Sequence, residues 1–215
     1  PLGVKWINAA VAAFEPKNNA VILDGCRVIK YDRLVVAPGL KLDWDAVEGL
    51  SDTLGRNGVT SNYRYDLAPY TWQLVQEMKE GRALFTQPPM PIKCAGAPQK
   101  AMYLSADAWY RRGVLKDIDV QFMNAGGVLF GVKEYVPALM EYVKKYDATL
   151  NFFQNLVSVD GDAKKATFKV AKPDTEPEMV TVDFDMMHVC PPQTAPDFIR
   201  VSPLADAAGW VDVDQ

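Results

Sequence analysis

Ala83-Leu84-Phe85-Thr86-Gln87 is a short run closed by Pro88 and Pro89, and from Pro98 the apolar residues take up helical spacing. The first pattern is that of a buried strand. The second, with Ala101, Leu104 and Ala108 on one face and Gly113 as the stop, predicts a helix. Pro98 suits its first turn, where a missing N–H costs nothing. A strand that feeds a helix through a loop is the unit of an α/β fold, and such folds place their chemistry in that loop. Cys94 lies there, flanked by Lys93 and Lys100. Unpaired N–H groups, the positive end of the helix dipole and the two lysines all push a thiol toward thiolate. The competing reading is a buried structural cysteine, the usual fate of a lone thiol. The glycine- and proline-rich loop favours reactivity.

The run Ile92-Lys93-Cys94-Ala95-Gly96-Ala97-Pro98-Gln99-Lys100, followed by Met102-Tyr103-Leu104-Ser105, resembles the redox-cysteine loop of sulfide:quinone oxidoreductases, in the branch that includes the mitochondrial enzymes. Other segments match in the same order. Tyr31 to Gly39 resembles the second signature of flavoproteins with two dinucleotide-binding domains, a buried strand ending in small residues. Small residues are needed where the backbone passes close to a bound cofactor. The resemblance gives that role to Ala37, Pro38 and Gly39, and a backbone contact with the adenine ring to Val11. The alternative for Ala37-Pro38-Gly39 is an ordinary strand ending in a Pro-Gly turn. Met186 to Pro192 resembles the family's crossing segment in position, and Pro196-Asp197 and Ser202 to Asp214 resemble the family closely.

The resemblance implies an α/β fold: a Rossmann-like domain of parallel sheet, flanking helices and a β-meander over 46–185, carrying the cysteine loop. Residues 1–45 would be part of an FAD-binding domain, and 186–215 a return segment to it. It implies FAD as cofactor, sulfide and a sulfur acceptor as substrates, and a quinone as electron acceptor. The enzyme would sit peripherally on a membrane, bacterial on the cytoplasmic side or mitochondrial inner. No G-x-G-x-x-G turn occurs, and Gly126, Gly127 and Gly131 have the wrong spacing for one. The chain is therefore expected to be an internal fragment, without stoichiometric FAD when isolated. The family's second essential cysteine follows a Gly-Asp pair, expected just beyond Gln215 together with the membrane-contacting surface.

Several classes are disfavoured. A net charge of −4 and a pI near 5.1, with no basic patch interleaved with aromatics, argue against nucleic acid. Three scattered cysteines and one histidine make neither a disulfide framework nor a metal site. No apolar run approaches the length of a membrane span, so the fragment itself reads as soluble. A nicotinamide-dependent reductase is the rival enzyme, but Asn124-Ala125-Gly126-Gly127 offers no acid for a ribose after the second predicted strand, Asp119 to Met123. A folded, inactive domain is the other rival.

Further elements read as follows. Strands are expected at Val4 to Ile7, Val11 to Phe14, Ala20 to Leu23, Val28-Ile29 and in the run Tyr31 to Gly39. A helix capped by Asp66 should bury Trp72, Val75 and Met78 and end at Gly81. A helix in Val132 to Tyr146 should bury Val136, Leu139, Met140 and Val143. Strands at 148–153, 156–159, 165–170 and 179–184 would form the meander. Cys26 and Cys190 read as structural, and so does His188, with a role as base the alternative. Lys100 stands where bacterial relatives carry a carboxylate, and Tyr63 near where some carry a third cysteine. Open edges on the first strands would allow pairing with a second copy as a homodimer.

Overall fold

The computed structural model describes residues 3–214. It divides into two compact units, Leu42–Pro192 and a smaller one made of Pro1–Lys41 with Gln193–Gln215.

The larger unit is built on a five-stranded parallel sheet in the order Val59–Thr60, Met186–His188, Gly81–Gln87, Ile118–Asn124, Thr149–Phe152. Gly81–Gln87 and Ile118–Asn124 pair along their full lengths, Ala83 opposite Val120 and Phe85 opposite Phe122. Both faces of the sheet are covered, which is why these strands are nearly continuous apolar runs. Ala83, Phe85, Val120, Phe122 and Met186 belong to the cluster that receives Val75, Met102, Ala106, Trp109 and Val143 from three helices, Ala68–Glu77, Ala97–Arg112 and Val136–Lys145. Trp109 is fully buried, its indole N–H donating to the Val75 carbonyl at 2.9 Å. Leu84, Met123 and Met187 alternate to the opposite face. There they meet Leu156, Phe168 and Phe184 from the antiparallel meander of Gln154–Asp160, Lys165–Val170 and Glu178–Asp183. The fold is the Rossmann-like α/β arrangement expected, but the first strand assigned to the meander, Thr149–Phe152, instead extends the parallel sheet beside Ile118–Asn124, leaving a three-stranded meander.

Details depart from the sequence reading. Helix Ala97–Arg112 ends at Gly113 in the left-handed region, as expected, but it buries Ala101, Met102, Ser105, Ala106 and Trp109, and leaves Leu104 72% exposed. Its packed face is narrower than the apolar count suggests, and Leu104 falls on the far side of it. Asp66 does not cap the next helix back: it pairs with Arg64, and a 3-10 turn at Tyr65–Leu67 leads into Ala68–Glu77. Met78 stops that helix, Trp72 faces outward, and Gly81 opens a strand rather than closing a helix. In Val136–Lys145, Val143 is buried but Met140 lies at the surface. Val59–Thr60, outside the strands expected above, is an edge strand. Met186 to Pro192, expected to lead out of the domain, stays within the larger unit, and Met186–His188 is inserted between Val59–Thr60 and Gly81–Gln87.

The smaller unit has an antiparallel sheet of Val11–Glu15, Ala20–Leu23 and Val28–Lys30. Phe14, Val21 and Leu23 pack with Ala195 and Ile199, and the Phe14 ring stacks on Phe198 at 6.1 Å. Val4 to Ile7 forms no strand, and Trp6 is exposed. Leu34 to Val36 forms none either, because no described strand pairs with it; Val35 is 89% exposed rather than buried.

Candidate functional site

The strand Gly81–Gln87 delivers the chain to the C-terminal edge of the parallel sheet, where the crevice of an open α/β sheet collects its ligands. The loop that follows ends in a turn closed by the Ala97 N–H, which donates to the Cys94 carbonyl at 2.7 Å. Pro98 occupies the first helical turn as anticipated. Cys94 is an exposed free thiol with φ +87°, a conformation that a non-glycine residue adopts only where its surroundings hold it. Lys100, one turn into the helix, brings its Nζ to 3.9 Å from the Cys94 sulfur.

Residues far away in sequence complete the neighbourhood. Cys190 follows the strand Met186–His188 and is buried at 2% exposure, its N–H donating to Thr86 Oγ1 at 3.2 Å. Tyr63 donates its hydroxyl to the Lys93 carbonyl at 3.3 Å, and the Lys93 ammonium lies 5.8 Å from the centre of its ring. Burial pushes the Tyr63 phenol well above its ordinary range, and the neighbouring Cys190 and Cys94 push it further. Two thiols and a phenol that stays protonated therefore share one end of the sheet. Sequence reasoning placed Cys94 there and missed Tyr63, Thr86 and the approach of Cys190. Only long-range pairing brings these together, and nothing local announces it.

His188 is fully buried in its strand, stacked on Phe85 at 6.1 Å, with Nε2 accepting the Asn62 N–H at 2.9 Å. Desolvation holds its pKa down to about 4. It is a packed, neutral imidazole, not an exposed base. After Ile118–Asn124, the Asn124 side chain is spent on its own loop: Oδ1 accepts the Gly126 N–H at 2.8 Å and Nδ2 donates to the Val128 carbonyl at 2.9 Å. A Cβ on Gly127 would stand 2.6 Å from the Phe153 ring, so that loop is closed by an aromatic.

In the smaller unit, Ala37, Pro38 and Gly39 line a depression of about 300 Å³ with Ala195, Pro196 and Trp210. Gly39 has φ +78°, and nothing lies within 4 Å of where its Cβ would be. Val11 begins the first strand, half-buried opposite Leu23. Cys26 is exposed in a turn at φ +62°. Elsewhere in the larger unit a depression of about 340 Å³ is lined by Glu48, Asp52, Arg56, Asp160 and Asp162. Among the described residues no three His, Cys, Asp or Glu side chains converge as metal ligands. No helix among them is long and apolar enough to cross a membrane.

No protein-family model matches the chain. Curated proteins named mitochondrial sulfide:quinone oxidoreductase match it at 36 to 41% identity. The mouse protein is 40% identical over 215 residues, which is 100% of this chain and 47% of the mouse sequence. The chain thus spans about half the length of the curated relatives it matches. Among solved structures, a chain in the Tetrahymena thermophila mitochondrial ATP synthase superposes with a TM-score of 0.75 at 22% identity, covering 97% of this chain and 52% of that one. The Aquifex aeolicus sulfide:quinone oxidoreductase superposes at 0.71 with 18% identity, covering 94% and 46%. At such identities these structures establish the fold alone.

Proposed function

We propose that this chain, related from end to end to the mitochondrial sulfide:quinone oxidoreductases, supplies the redox-cysteine half of a mitochondrial enzyme that oxidises sulfide and reduces a quinone. The observation that carries this reading is Cys94: a free, exposed thiol at the mouth of the parallel sheet, held in the left-handed region beside Lys100. Sulfide attacks a disulfide or trisulfide that joins Cys94 to a second cysteine outside these residues. One sulfur–sulfur bond breaks, the extra sulfur stays as a persulfide on one cysteine, and Cys94 departs as the thiolate. Lys100 sets positive charge beside that sulfur. A small nucleophile removes the persulfide sulfur.

FAD, when bound, supplies the two-electron acceptor between thiol and quinone. The open flank of Gly39 fits it: small residues line the depression and no protein atom fills the space a Cβ would take. Ala37, Pro38 and Gly39 would border the cofactor, with Val11 offering backbone. Gly39→Val in the intact protein is expected to lower FAD content per polypeptide about tenfold, read from the flavin absorbance of purified protein. Unchanged flavin content overturns the Gly39 assignment.

The nicotinamide-dependent alternative is less well supported: Asn124 is engaged within its loop, and Phe153 covers Gly127. Sulfide added to the intact protein with a soluble ubiquinone analogue should produce quinol, and mass spectrometry after rapid quenching should find an additional sulfur on the second cysteine, with Cys94 released from its sulfur–sulfur bond. NADH oxidation without any response to sulfide would replace this reading with the rival one.

A further inference from the structure

We propose that Tyr63 is a positioning residue for Cys94, its hydroxyl tying the cysteine loop to the strand end that carries Cys190. This rests on the reading of Cys94 given above. Tyr63 projects from a fixed base. Ser61 Oγ donates to the Val189 carbonyl at 2.6 Å and accepts the Tyr63 N–H at 3.1 Å, while the Asn62 N–H is held by His188 Nε2 at 2.9 Å. These bonds lock residues 61–63 onto the buried Met186–His188 strand and its continuation.

From that base the phenol reaches the other way. It donates to the carbonyl of Lys93, the residue before Cys94, at 3.3 Å, and the Lys93 ammonium sits over its ring. Cys190 lies close by, its own N–H anchored on Thr86 Oγ1 at 3.2 Å. One oxygen atom therefore joins the loop to the rigid sheet. Cys94 needs such a hold. A non-glycine residue at φ +87° relaxes unless its neighbours over-determine it, and the bond from the Ala97 N–H to the Cys94 carbonyl restrains only the downstream side. Tyr63 restrains the upstream side. Burial and the neighbouring thiols keep the phenol protonated, so it remains a donor.

The test is Tyr63→Phe in the intact protein, which keeps the ring and removes the hydroxyl. Hydrogen exchange of the amides of residues 92–96 is expected to accelerate about tenfold, the effect of losing one ordering hydrogen bond, with the Gly81–Gln87 strand unchanged. Maximal sulfide-dependent quinone reduction should fall about tenfold while KM for the quinone holds, since the lost hydroxyl acts on the register of the cysteine loop. Exchange that changes by less than about twofold, or a turnover loss explained by less folded protein, overturns the role. Faster exchange in a protein without sulfide-dependent turnover in either form would uphold Tyr63's hold on the loop and sink the functional reading instead.

Discussion

Replacing Cys94 by serine in the intact protein is expected to reduce sulfide-dependent quinone reduction by roughly 10³-fold or more, leaving the fold intact. The chemistry needs sulfur twice: as a partner in a sulfur–sulfur bond and as a thiolate leaving group, and an alcohol offers neither near neutral pH. The stability cost should be small, within about 0.5 kcal/mol, because Cys94 is exposed and its side chain fills no part of the core. Denaturant titration and steady-state turnover measured on the same preparation separate the two effects. Turnover that survives at more than about a tenth of the parent's rate would remove Cys94 from the chemistry.

The second large effect is on stability, and it belongs to His188. The unfolded imidazole binds a proton near pH 6.5, whereas the buried one, its charged form desolvated, does so only near pH 4. Between those values the unfolded chain holds more protons, so stability falls as pH drops through the window and is fully present above it. The gap corresponds to about 3 kcal/mol. The geometry explains why no relief is at hand: Nε2 is committed to the Asn62 N–H, so protonating it forfeits that bond, and Nδ1 is buried with no hydrogen-bond partner. Unfolding free energies by denaturant titration at pH 7, 5 and 4 should show the decline, and His188→Gln should flatten it relative to the parent. Equal slopes in the two proteins would assign acid sensitivity to the carboxylates instead.

Local chemistry made much of the molecule legible. The strand and helix around Cys94 carry their own punctuation in Pro88, Pro98 and Gly113, and the strand Lys165–Val170 falls at the bounds its sequence pattern predicts. What escaped was set by partners far along the chain. Val59–Thr60 is too short to signal a strand, and it forms one because Met187 and His188 pair with it. Leu34 to Val36 looks like a strand and is none, since β propensity needs a neighbour to pair with. Leu104 shows that an apolar residue in helical register can still face water. At the site, Cys94 stood out from its loop, while Tyr63 drew notice only for the cysteine it replaces in relatives; its contact with the loop is a product of tertiary structure.

The position of Met186–His188 bears on how the molecule comes to exist. It fits between Val59–Thr60 and Gly81–Gln87, yet it leaves the ribosome after every other strand of that sheet. Until it arrives, the nascent chain presents two unsatisfied edges and an open slot lined by Ala83, Leu84 and Phe85. The keystone is laid last, so biosynthesis passes through a vulnerable interval in which chaperones have most to protect. Cys190 and the His188 clasp on Asn62 arrive with that keystone, and the Cys94 loop acquires its final shape only once the whole unit has closed.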